Sequence, residues 1–443
     1  MPKRLGPSAA TTLTELAGCI MIGTACAFMW CWFFTPLRAV FYLIAVILAF
    51  MGGGFRPRLS RVGSLFLLVG GLYILKALID PPLPKLVLSD IGNIVLGFAV
   101  LSTFGLSDFT LEAWQRFQLR VHRTVLLVST LGALLGLAKL FYYNLGGIVP
   151  SIMDPDRGYP LGSSLRMDYN FYSLPLLLGL LSAFWLMKRD SSALWSNGAL
   201  LCIPELVGAV LLSGSRRGLI TVICALPLLI LWLIFGRRHN PSSHAAGLSW
   251  KTVTAGLCLV TVLCALKLDA LTEFASDLTS ADSFSDVMSR WSTIEEGTYS
   301  DTRMHYWTIT VQRLSRFKPL EWIFGEGFAY VTDLGADSDL PEDYPHNFLL
   351  SSLLYGGLLQ TGGLVAMISI ALTRLSARAQ SSGMFAAWFI LVILFLSTSC
   401  NSFFSSEIAV LLTIVGLNVN RFIPNRHGIP VPETSLMMVR EIG

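Results

Sequence analysis

Charge is scarce in this chain. Only 14% of its 443 residues are Asp, Glu, Lys or Arg, against about a quarter in an ordinary soluble domain. So few charges cannot coat a water-facing surface. That excludes a soluble globular class and points to an all-α polytopic membrane protein. Membrane lipids, not nucleic acid, are its expected surroundings. A disulfide framework is not expected either. All eight cysteines (Cys19, Cys26, Cys31, Cys202, Cys224, Cys258, Cys264 and Cys400) lie in apolar runs or at their ends. None falls in the long polar stretch and no pair has metal-ligand spacing, so they read as small buried hydrophobes. A cleavable leader is not expected. The first apolar run is too long for one, lacks a small-residue cleavage site, and reads as the first helix. No internal repeat stands out.

What the chain has instead is apolar sequence, 53% of its residues, with a mean hydropathy of +0.63. A membrane span needs about 20 such residues. On that scale helices are predicted at 12–34, 39–54, 63–79, 87–105, 123–143, 169–187, 197–213, 218–235, 251–267, 347–373, 384–400 and 404–420. About twelve spans put both termini on one side of the membrane. The loops on that side carry Arg56, Arg58, Arg61, Arg116, Arg120, Arg123, Lys188, Arg189, Arg237, Arg238, Arg374 and Arg378. The short opposite loops carry few cations, so the positive-inside rule predicts cytoplasmic termini. The chain then divides into helices one to nine over 1–267, a loop domain over 268–346, helices ten to twelve over 347–420, and a tail over 421–443 that reads as poorly ordered.

Loops as long as 268–346 are uncommon without a function. This one holds an expected amphipathic helix over 301–316, with Met304, Trp307, Val311 and Leu314 on its apolar stripe, Asp301 as N-cap and Pro319 past its end. Gly325-Glu326-Gly327 follows as a tight turn, and the loop closes on Pro345-His346-Asn347-Phe348-Leu349-Leu350.

Two stretches carry candidate chemistry. Ser213-Gly214-Ser215-Arg216-Arg217-Gly218 turns between two helices on the outer side. Paired arginines there either snorkel to headgroups or bind an anion. The free N–H groups of a helix N-terminus and the planar guanidinium fork both suit phosphate. His346 is the second. His122, His239, His244 and His427 sort to the cytoplasmic side, leaving His305 and His346 outside. A helix N-terminus disfavours the imidazolium, and a neutral imidazole is a competent general base. The alternative is a capping or packing histidine. Arg166, Arg290 and Arg303 are further outside arginines, each accountable by a solvated surface role. Glu205 lies about 12 Å below a helix end, and Lys76 and Asp80 are spaced as an i, i+4 pair.

These residues, in this order, resemble the O-antigen ligase family. The likeness runs over about 168–373: Asp168-Tyr169-Asn170, the SGSRRG turn, Asp301-Thr302-Arg303 with Trp307, Ile323-Phe324-Gly325-Glu326-Gly327-Phe328, then His346-Asn347. Before it, the likeness is one of hydropathy alone. The resemblance implies a C-type glycosyltransferase-like fold with one large periplasmic loop in the bacterial inner membrane. It implies transfer of O-antigen glycan from undecaprenyl pyrophosphate to lipid A–core oligosaccharide in lipopolysaccharide assembly, without metal or cofactor. His346, Arg216 and Arg217 would be catalytic. Arg303, Arg166, Arg290, Asn347 and Ser215 would bind substrate. The family usually has one arginine in the turn where this chain has two, which leaves open which of them binds pyrophosphate. O-antigen polymerases and protein O-oligosaccharyltransferases share these motifs and remain alternatives, as does a lipid-glycan flippase or transporter without chemistry.

Overall fold

The computed structural model describes residues 7–31, 35–53, 61–79, 91–99, 101, 108–109, 111–144, 165, 169–235, 298–327, 345–377, 385–399, 414 and 421–422. Within them the protein is helical apart from one two-residue strand pair. The helices are α1 Pro7–Trp30, α2 Thr35–Gly53, α3 Arg61–Ile79, α4 Leu111–Asn144, α5 Tyr169–Arg189, α6 Ala193–Leu212 and α7 Arg216–Phe235. After them come α8 Thr298–Leu314, α9 Pro319–Phe324, α10 Phe348–Ala377 and α11 Phe385–Ser399. Residues 91–99 are also helical. The expected spans at 251–267 and, but for one residue, at 404–420 lie outside the described residues.

Six helices are long and apolar enough to cross a membrane, within α1, α3, α4, α5, α6 and α10. Shorter apolar helices cover Leu37–Gly52, Arg217–Leu231 and Ala387–Ser397. This is the make-up of a polytopic helical membrane protein. Leu43, Ile47, Leu131, Leu134, Leu201 and Ile223 lie exposed on helix surfaces. Such faces are costly in water and suit a lipid solvent.

α4 starts twelve residues before the predicted 123. Its first turns are amphipathic, so a hydropathy window misses them. Trp114, Phe117 and Val121 are buried, while Arg120 reaches Glu15 of α1 at 2.9 Å and Arg116 lies 3.9 Å from it. Arg123 forks onto Asp190 with two 2.8 Å hydrogen bonds, tying α4 to the end of α5. This earlier start corrects the placement of His122. It is not a solvent-facing residue but is fully buried within α4, its ring 4.1 Å from that of Trp185 and 5.3 Å from that of Phe385. Its Nδ1 lies 3.3 Å from Ser182 Oγ.

α4 packs on α1, α5 and α6, and α5 packs on α6 and α7. Close approaches use small residues. A Cβ on Gly179 would meet Ser129, and one on Gly132 would meet the indole of Trp30. The strand pair, β1 Asp108–Phe109 with β2 Arg421–Phe422, is parallel. The first two residues of the tail are thus held beside the start of α4, and residues 423–443 lie outside the described residues.

A candidate site around the arginine turn and His346

The arginine turn is built by its own serines and glycines. α6 ends at Leu212, with Ser213 Oγ donating to Val210 O at 2.7 Å. Gly214 has φ 68, a left-handed conformation that glycine adopts without a Cβ clash. Ser215 is the N-cap of α7. Its Oγ accepts the N–H of Gly218 at 3.1 Å and lies 3.1 Å from Ser173 Oγ of α5. Both Ser213 and Ser215 are buried. The Ser215 hydroxyl is therefore committed to capping, a role that needs no ligand. Gly218 is required for packing, because a Cβ there would lie 2.9 Å from Val210 Cγ1 and 3.1 Å from Ser173 Cβ.

Arg216 and Arg217 open α7. Of Arg216 the structure describes the backbone alone. Arg217 is half-buried, donates Nη1–H to the carbonyl of Phe395 at 3.3 Å, and places its guanidinium 5.5 Å from that ring's centroid. Phe395 is near the end of α11, which packs on α10.

α10 begins with Asn347 as its cap. Asn347 Oδ1 accepts the N–H groups of Leu349 (3.0 Å) and Leu350 (3.2 Å). That is a backbone role for a residue expected to bind substrate. It also removes the capping alternative for His346, which sits one residue earlier with φ 50. Among the described residues His346 is the one non-glycine with positive φ. This conformation is uncommon outside Gly, Asn and Asp, although His is enriched there, and it recurs at functional sites. The residue is half-buried, its ring 5.7 Å from that of Tyr306. Pro345, buried beside it, accepts the indole N–H of Trp307 at 3.0 Å.

Tyr306 and Trp307 belong to α8, which differs from expectation in two ways. It begins at Thr298, so Asp301 lies inside it and is not its N-cap. Its packed side is shifted: Thr310 and Leu314 are buried, whereas Val311 is 58% exposed. The predicted stripe assumed an isolated helix on a surface, but α8 is held by contacts with the start of α10. His305 is exposed. Arg303 has a described backbone in α8, with its side chain outside the described residues. Arg166 and Arg290 lie outside them altogether, although Leu165 pairs with Cys31 at the end of α1.

The sequence reading did not anticipate Lys76. Its Nζ donates to the carbonyl of Gly325 at 3.1 Å, 249 residues away, while Asp80, its expected i, i+4 partner, lies outside the described residues. It also missed a break inside α10 at Gly357, which has φ 66 and ψ −165. Glu205 is half-buried on α6, with Oε1 buried and unbonded among the described residues. No three His, Cys, Asp or Glu side chains converge among the described residues. Compared with known proteins, the chain matches no family model, no curated protein and no solved structure.

Proposed function

We propose that this chain is a glycosyltransferase of the O-antigen ligase superfamily, set in the bacterial inner membrane with both termini cytoplasmic and its site periplasmic. It transfers glycan from undecaprenyl pyrophosphate to a sugar of lipid A–core. The observation that carries the reading is His346. A histidine held in a left-handed conformation, outside the cap and beside a loop helix, is not explained by capping. Arg217 opens α7, on the same outer side by the loop-charge topology.

In the proposed reaction an acceptor hydroxyl attacks the anomeric carbon of the donor. The bond from that carbon to the pyrophosphate oxygen breaks, and the electron pair leaves with undecaprenyl pyrophosphate. The hydroxyl proton passes to the neutral imidazole of His346. Arg216 and Arg217, with Arg303 or Arg166, offset the charge growing on the leaving group. One displacement inverts the anomeric centre. Arg217 opens α7, and in the proposed reaction phosphate would replace the carbonyl of Phe395 as its acceptor.

The test is the purified chain in lipid nanodiscs with lipid-linked glycan and lipid A–core. Release of undecaprenyl pyrophosphate together with extended lipid A–core is expected. No release with both substrates present would overturn the reading, and glycan joined to a second lipid-linked glycan would make the chain a polymerase. One observation favours another class. Helix breaks mark the binding sites of many transporters, and α10 is broken at Gly357, about 14 Å from its start. A flippase would move lipid-linked glycan across a proteoliposome bilayer without releasing pyrophosphate.

A further inference from the structure

The break in α10 is filled. In an unbroken helix the carbonyls of Leu354 and Tyr355 would accept from residues one turn on. Here Leu354 O accepts the N–H of Glu326 at 2.7 Å, and Tyr355 O accepts the N–H of Gly327 at 3.1 Å. The Gly325-Glu326-Gly327 turn lies inside the gap, backbone against backbone. Gly325 has φ 72, and a Cβ on it would fall 2.5 Å from Tyr355 O and from Gly356 N. A Cβ on Gly357 would fall 2.5 Å from Gly325 N and from Ile323 O. No side chain fits at either position without moving main chain.

Two cations hold the turn. Lys76 of α3 binds the Gly325 carbonyl, and Tyr73, one turn earlier, meets the ring of Tyr355 edge-on at 5.1 Å. Arg313 of α8 forks onto Glu326, with Nε to Oε2 at 2.7 Å and Nη2 to Oε1 at 2.5 Å. Arg313 lies two helical turns after Tyr306 on the same face. α8 is thus fastened to α10 at two points: at the start of α10 through Trp307 and Pro345, and inside α10 through Arg313, Glu326 and Leu354.

We infer that the glycine turn docked in the Gly357 break is a positioning device, which holds α8 against α10 so that His346 keeps its left-handed conformation beside Tyr306. Arg313, Lys76, Gly325 and Gly357 are its positioning residues, acting through His346 and not on substrate. The inference rests on the transferase reading for what is positioned, and on the two backbone hydrogen bonds for the device itself. Two fastenings restrain the angle between α8 and α10 where one would leave it free. Misplacement of a catalytic group by about 1 Å can cost about a hundredfold in rate.

The test uses the full chain in nanodiscs, with amide hydrogen exchange at Glu326 and Gly327 beside transfer kinetics. Wild type is expected to exchange slowly at both amides. Gly325→Ala is expected to speed exchange there at least tenfold and to lower kcat about 10- to 100-fold, with KM for the lipid-linked donor changed less than threefold. Arg313→Ala guards against a Gly325 variant that does not fold. It is expected to lower kcat in the same way, with Arg313→Lys recovering only part because lysine lacks the fork. Unchanged slow exchange in Gly325→Ala, or fast exchange with wild-type kcat, would overturn the inference. An active wild type that exchanges rapidly at both amides would overturn it alone and leave the transferase reading standing. An inactive wild type with slow exchange would sink the transferase reading and the positioning role, while leaving the turn docked.

Discussion

Trp307 donates its indole N–H to the carbonyl of Pro345 across 3.0 Å. That bond joins the loop helix to the residue preceding His346. Trp307→Phe keeps a large aromatic ring but removes the donor, leaving a buried carbonyl unpaired at a cost of about 1 kcal/mol. Transfer is expected to fall several-fold with donor affinity near wild type, measured as kcat against KM. Wild-type kcat in Trp307→Phe would mean that the contact does not set His346.

His346→Ala is expected to slow transfer by about 10²–10⁴-fold and still bind lipid-linked glycan, since a general base acts in chemistry and not in binding. Its activity should respond to Mg²⁺, Mn²⁺ or chelator no more than wild type does. His305→Ala is the control, because that side chain is exposed. Robust turnover by His346→Gln would remove the general-base role and leave the arginines as the main catalytic groups.

Arg216→Ala and Arg217→Ala separate the two arginines of the turn. The one that clamps pyrophosphate should lose about ten- to a hundredfold in transfer, matching about 1.5–3 kcal/mol for a charge-assisted contact. Arg217→Ala should also loosen α7 from α11, because its Nη1 bonds the Phe395 carbonyl, and thermal unfolding will register that separately. Wild-type transfer by both variants and by the double variant would place the phosphate site elsewhere.

Asn347 and Ser215 are expected to act as helix caps. Asn347→Ala should lower stability by about 1 kcal/mol, and Asn347→Ser should restore most of it. Thermal unfolding and transfer should then move together across this series. A stable but inactive Asn347→Ser would instead put the amide in contact with substrate.

The loop over 268–346 is expected to face the periplasm. A cysteine at Ser283 should react with an impermeant maleimide in intact spheroplasts. Labelling only after lysis would reverse the orientation drawn from the loop arginines and lysines.

Membrane class and most of the described apolar helices were legible in the sequence, because a run of about 20 apolar residues is a local signal. The glycines and serines of the Ser213–Gly218 stretch likewise announced a tight turn. Other features depend on partners far along the chain. That Asn347 and not His346 caps α10 is decided by which oxygen meets the N–H groups of Leu349 and Leu350. A left-handed φ at His346 is invisible to propensity, since the surrounding contacts hold it there. The start of α4 was hidden because its first turns are half polar, and their arginines have carboxylates waiting on α1 and at the end of α5. The break at Gly357 is the extreme case. A glycine pair inside an apolar run reads as continuous helix until a second backbone, thirty residues earlier, supplies the N–H groups that the broken helix lacks. Local hydropathy determined where chain enters lipid, and long-range hydrogen bonding decided where a helix stops being one.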